Sequence, residues 1–371
     1  MKLHRLTSTV ALVAAASLTL AACGDDNPTD SGSGGSGGSE EGSGGELSGQ
    51  LSGSGASSQN SAMTTWIAGY QNVQPDVTVT YDAIGSGGGR ENMLSGAVDF
   101  AGSDAYLDED EREQVTETCG DGGAMNLPIY ISPVAIPYNL PGVDTLNLKP
   151  DVLAQIMDQQ ITTWDDDAIA ADNPDVDLPD TDITVVNRSD ESGTTENFME
   201  YLTAAAPDSW GYEPADAWPV SGGEAAAQTT GVIEVVNSTE GAIGYADASA
   251  VGDLGTAAIG VGEEFVEYTP EGAAKVVDNS EPADTGVEGD LALDIARDTT
   301  ESGSYPIVLV SYHIVCSSYD DAETADKVTD FVTYVASEDG QQAAADAAGS
   351  APISGDLRSR IDESLSTVQG G

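Results

Sequence analysis

Arg188-Ser189-Asp190-Glu191-Ser192-Gly193-Thr194-Thr195 follows the β-branched run Ile183-Thr184-Val185-Val186 and precedes a helical pattern over 197–205. A strand, a loop of small and hydroxyl residues and a helix together make one unit of α/β architecture. The loop is also suited to one kind of ligand. The first amides of a helix have no intrahelical acceptor, and aligned peptide dipoles leave partial positive charge there. Glycine lets the backbone come close to a ligand, and serine and threonine hydroxyls add donors. Such a terminus holds an oxyanion without a lysine. Arg188 adds a guanidinium inside the loop, and Asp190 can hold it in position.

The same design recurs twice nearer the N-terminus. Ser52-Gly53-Ser54-Gly55-Ala56-Ser57-Ser58 precedes a helical pattern over 63–71 that carries Met63, Trp66 and Ile67. Gly85-Ser86-Gly87-Gly88-Gly89 follows the alternating strand pattern 77–81 and precedes 90–94. One Ser/Gly loop is equally a helix cap or a turn. Three in one acidic chain point to a shared oxyanion pocket. Further helices are predicted over 152–157 and 325–336, and apolar strand-like runs over 126–138 and 307–316.

Charge narrows the partners. The chain has 11 Lys and Arg against 64 Asp and Glu. Nucleic acid is excluded as a partner, because its binding rests on neutralising phosphates with basic side chains. The N-terminus sets the compartment. Lys2, His4 and Arg5 precede an apolar run over 10–22, shorter than the about 20 residues that span a bilayer, and this reads as a secretory signal. Its exit, Leu20-Ala21-Ala22-Cys23-Gly24, resembles the bacterial lipobox, which implies cleavage before Cys23 and a lipid on its sulfur. Losing Lys2 and Arg5 leaves nine basic against 64 acidic residues, a formal charge of −55. Residues 24–46 are Gly, Ser and acidic side chains that cannot offset their chain entropy by burial, so they form a spacer. With Cys23 lipidated, Cys119 and Cys316 remain; an exported pair favours a disulfide, the alternative being two buried free thiols.

At the three loops the chain resembles the phosphate-binding proteins of phosphate-uptake ABC transporters, the Pst system. The similar stretches are GSGASSQNSAMTTW from Gly53, AIGSGGGR from Ala83, VDFAGSDAYL from Val98, VVNRSDESGTTENF from Val185, GAIGY from Gly241 and SYPIVLVSYHIV from Ser304. WDDDAIAADNPDVDLP from Trp164 belongs with them. The resemblance implies a two-lobed α/β fold of the type II periplasmic-binding-protein kind, lobes joined by two crossing strands, ligand in the cleft. The expected lobes are 47–132 with 306–371, and 133–305, after a 1–22 signal peptide and a 23–46 lipidated linker. It also implies the phosphate ligands Ser57, Ser58, Ser86, Asp104, Arg188, Asp190, Ser192, Gly193 and Thr194. Asp104 would accept a hydrogen bond from the proton that phosphate still carries. The expected partners are inorganic phosphate and the permease subunits of an ABC importer, with the protein acting as a monomer at the outer membrane face.

Departures from the family pattern are local. Ser57 and Ser58 stand where many relatives have Thr and an aromatic residue, and Glu191 replaces a common glycine. Asn187 leaves Arg188 as the loop's only cation.

Rival classes are a secreted phosphatase, a surface sensor or adhesin on the same fold, and a binder of sulfate or molybdate. His313, the one histidine after the signal, lies in a strand-like run and reads as structural. The GxSxG match at residues 34–38 falls in the spacer, and no glycine precedes a lysine as in nucleotide-binding phosphate loops. Trp164-Asp165-Asp166-Asp167 reads as a helix start rather than a calcium loop. No catalytic residue, cofactor or metal is expected.

Overall fold

Strand Val77–Asp82 buries Val77 and Val79 and exposes Thr78 and Thr80, the period of two expected of a strand covered on one face. It pairs in parallel with Gly49–Gly55 at the edge of a six-stranded sheet. The computed structural model describes residues 47–371, so the expected signal peptide, Cys23 and spacer lie outside the described residues. Beyond Gly49–Gly55 the sheet continues with Phe100–Ser103, Val308–Cys316, Ala124–Ala135 and Ala246–Asp247. Ala124–Ala135 and Val308–Cys316 are buried at every position, as central strands covered on both faces are.

A second, five-stranded sheet has the order Gly255–Thr256, Pro137–Tyr138, Ala242–Gly244, Thr184–Arg188, Glu224–Ala226. The chain passes between the sheets quickly. Ala124–Ala135 gives way to Pro137–Tyr138 after one residue, and Ala242–Gly244 to Ala246–Asp247 likewise. The apolar run expected over 126–138 is therefore two strands in two sheets, an assignment no hydrophobic pattern can make. This is the two-sheet α/β architecture of the type II binding-protein fold.

The predicted helices are present, but most begin earlier: Asn60–Val73, Pro150–Met157, Gly193–Ala205 and Ala322–Ala336. Apolar periodicity misses first turns, which carry caps and polar residues. Asp321, for example, caps Ala322–Ala336 by accepting from the Thr324 amide. Asp166 caps Asp167–Asp172 in the same way through the Ala168 amide, so the Trp164–Asp167 run is a helix start.

Two features brace the first sheet. Cys119, at the end of helix Glu109–Cys119, forms a disulfide with Cys316, the last residue of its strand. The central pairing also contains a bulge. Ser311 lies opposite Tyr130 and Tyr312 opposite Pro128, which leaves Ile129 as the extra residue. Pro128 has no amide to give the ladder, and bulges are where sheets tolerate this. The Ile129 carbonyl accepts from Gln341 Nε2 at 2.9 Å instead.

Candidate functional site

Each of the three loops opens directly into a helix. Asn60–Val73 follows Ser57, Ser58 and Gln59; Ser86 begins Ser86–Leu94; Gly193 begins Gly193–Ala205. Some first amides of these helices are taken up within the protein, Asn60 by the Ser57 carbonyl and Gly87 by the Glu191 carbonyl. Ser192 caps the third, its hydroxyl accepting from the Thr195 amide at 3.3 Å.

Asp104 gathers the loops. It follows strand Phe100–Ser103 and is buried. Its Oδ1 accepts from Ser58 Oγ at 2.6 Å and from Ser311 Oγ at 2.5 Å. Its Oδ2 accepts from Thr194 Oγ1 at 2.8 Å. The Asp104 amide donates to Ser86 Oγ at 3.1 Å, and its carbonyl accepts from Asn197 Nδ2 at 2.7 Å. Gly193 must be glycine here: a Cβ would stand 2.8 Å from both Asp104 Cβ and Ser86 Oγ. Ser58, Ser86, Asp104, Gly193 and Thr194 are thus one cluster, drawn from strands of both sheets.

Arg188 and Asp190 lie beside it. Arg188 is buried and meets Asp190 twice, Nε to Oδ1 at 2.8 Å and Nη2 to Oδ2 at 2.5 Å. Burial pushes Asp190 up, but the hydrogen bond and charge of Arg188 outweigh it and hold the carboxyl below the usual range. The pair is then close to neutral, so charge on a bound anion is met chiefly by N–H and O–H dipoles. Gly85 joins the second and third loops. Its φ of 101° suits only glycine, and a Cβ would lie 2.8 Å from Asp190 Oδ2. Glu191 is exposed.

Ser57 looks the other way, toward a fourth loop that the sequence reading missed. Its hydroxyl accepts from the Thr229 amide at 3.1 Å and shares a hydrogen bond with Thr229 Oγ1 at 3.0 Å. Gln228, just before, takes a left-handed φ of 64° and begins helix Gln228–Ser238. Its amide donates to Asp190 Oδ1 at 3.0 Å and its Nε2 to the Ala83 carbonyl at 2.7 Å, which hold that conformation. Gln228-Thr229-Thr230-Gly231 before Val232 repeats the polar-loop-to-helix design, so the clue was present. Ser311 and Arg90 were also missed as site neighbours. Arg90 joins Glu111 at 2.8 Å and Asp216 at 3.0 Å, so its charge is taken up locally.

Comparison with known proteins gives the family of the chain. Residues 40–339 match the PBP superfamily domain. Phosphate-binding protein PstS 2 of Mycobacterium tuberculosis is 37% identical, with 99% of this chain and 100% of that protein covered. This chain belongs to the PstS family of phosphate-binding proteins. The relative PstS 3 of Mycobacterium leprae is 36% identical with the same coverage. Among solved structures, a high-affinity periplasmic phosphate-binding protein, PfluDING, bound with phosphate, superposes with a TM-score of 0.71 at 21% identity. It covers 85% of this chain and 93% of that one, a likeness of fold. As in the resemblance that first suggested the PstS family, the Ser/Gly loops, Asp104 and the Arg188 loop meet in one place.

Proposed function

We propose that this chain is an extracytoplasmic substrate-binding protein that captures inorganic phosphate and delivers it to an ABC importer. The observation that carries the reading is Asp104, a carboxylate buried among donors and reached by loops from both sheets. A fully deprotonated anion would meet repulsion there, whereas phosphate near neutral pH still carries a proton and can donate a hydrogen bond through it to that carboxylate. The amides of Ser58 and Gly193, the hydroxyls of Ser86 and Ser192, and the Arg188 guanidinium held by Asp190 would supply the donors, whereas the Ser57 hydroxyl is taken up by Thr229 and the Thr194 hydroxyl gives its one hydrogen to Asp104.

The finer parts of the reading belong with it. The lobes are 47–132 with 306–371, and 133–305; the second sheet lies wholly within 133–305, which supports the division, although Ala246–Asp247 of that span joins the first sheet. Cys23 carries the lipid that tethers the protein to the outer membrane face, where permease subunits receive the phosphate. Uptake of labelled palmitate tests the tether, and an unlabelled protein that stays soluble without detergent removes it. The protein binds rather than turns over its ligand. His313, the histidine a triad would need, is buried among Trp66, Phe100 and Phe331, far from a hydrolytic role.

Calorimetry against phosphate, sulfate and molybdate tests the main claim. Tight, stoichiometric binding of phosphate alone is expected; preference for either other anion overturns it. Release of nitrophenol from nitrophenyl phosphate would overturn the binder assignment.

A further inference from the structure

Three hydroxyls converge on Asp104, and one of them lies outside every ligand loop. Ser58 and Thr194 sit on segments that open into helices, whereas Ser311 is in the middle of the central strand Val308–Cys316 and fully buried. Its hydrogen has one destination. Ser311 Oγ accepts from Gln59 Nε2 at 2.6 Å, and that amide is fixed because Nε2 also donates to the Tyr312 carbonyl at 3.2 Å. The hydroxyl therefore donates to Asp104 Oδ1, 2.5 Å away and 207 residues distant in sequence.

A carboxylate oxygen accepts through about two lone pairs. Ser58 and Ser311 together use both on Oδ1, while Oδ2 takes Thr194 alone. We propose that Ser311, held by Gln59, is a positioning residue that fixes the Asp104 carboxylate so that Oδ2 presents its free lone pair to the proton of bound phosphate. The bulge at Ile129 falls between the pairs made by Ser311 and Tyr312, the kind of irregularity that re-aims side chains beside functional sites. A rigid strand is also a better support for such a group than a ligand loop. The proposal rests on Asp104 accepting a hydrogen bond from the ligand's proton, as argued above.

The test is calorimetry with phosphate and sulfate on purified protein. Ser311→Ala should weaken phosphate binding about tenfold, the scale of one hydrogen bond to a charged group. Sulfate should stay unbound, because the carboxylate still repels it. Ser311→Thr, which restores a hydroxyl, should recover most of the loss. Because Ser311 acts through Asp104, its removal should cost less than threefold in an Asp104→Asn background. A tenfold loss in both backgrounds, or no loss in the first, overturns the positioning role. Gln59→Met is a second probe that leaves the Ser311 hydroxyl in place but free to rotate. It should give a smaller loss in the same direction, and unchanged affinity would break the relay. Wild-type protein that ignores phosphate would sink the functional reading itself, a result distinct from wild-type binding with a silent Ser311→Ala.

Discussion

On the proposed reading, Asp104 is a negative group placed where a negative ligand is to be held, and its value is discrimination. Phosphate and sulfate are both tetrahedral and close in size, so helix amides cannot separate them. Only phosphate brings a proton near neutral pH. Against sulfate the carboxylate faces oxygen lone pairs, a repulsive element of the kind specificity often requires. Sites built around a ligand hydrogen bond can reject an analogue lacking it by roughly 10⁴–10⁵. Asp104→Asn keeps an acceptor, removes the charge and adds a donor. Phosphate binding should therefore survive in large part while sulfate binding rises from undetectable to measurable. If calorimetry shows the Asn variant still ignoring sulfate, selectivity lies elsewhere. Loss of melting temperature with unchanged selectivity would reduce Asp104 to a turn residue.

Among the elements, the strand Val308–Cys316 carries both the positioning serine and a histidine of a different kind. Neither ring nitrogen of His313 has a hydrogen-bond partner among the described residues, and burial lowers its pKa to about 3. The unfolded chain takes up a proton near pH 6.5 that the folded chain refuses, so stability is lost as pH falls from about 6.5 toward 3. His313→Phe removes this linkage and keeps an aromatic ring against Phe331 and Trp66. Relative to the variant, wild type should lose roughly 1.4 kcal/mol per pH unit below 6.5 in denaturant melts. A gap that stays constant from pH 7.5 to 5 would show that the ring is protonated or hydrated in the fold. The elements also mark how far sequence reading reaches. Two strand–loop–helix units, those after 77–81 and 183–186, were legible because each is local, whereas at the first loop Ser52–Gly55 reads as loop and is in fact part of strand Gly49–Gly55, glycine and serine carrying no strand signal. The links between units were not. Ser311 meets Asp104 across 207 residues and Ser57 meets Thr229 across 172, and no periodicity encodes such pairs. The resemblance to known binding proteins supplied the convergence of the three loops, but neither Ser311 nor the fourth loop.

At the scale of the molecule, charge and covalent bracing dominate. Phosphate must approach a chain with a formal charge of −53. Ionic strength near physiological values screens over about 8 Å. Phosphate association in stopped flow should therefore quicken as salt rises from very low levels. Rates that fall instead would show that the potential at the pocket mouth outweighs the surface. The Cys119–Cys316 disulfide spans 197 residues, for which the chain-entropy account allows on the order of 5 kcal/mol. Reduction should lower the melting temperature, and two alkylatable thiols in the native oxidised protein would refute the bridge. The same wide separation has a consequence in time. Strand Val308–Cys316 fills the gap between Phe100–Ser103 and Ala124–Ala135, so as the chain emerges from its N-terminus two strands of the first sheet wait with their inner edges unpaired. One of them is mostly apolar and destined for burial at every position, the type of edge on which chains aggregate. Cys119 waits with them as a reduced thiol. The second sheet, whose strands all fall between residues 137 and 256, is complete before either can be closed. Newly made chain therefore passes through a half-built interval in which aggregation and mispairing of Cys119 have their best opportunity, and that interval ends when residues 308–316 arrive.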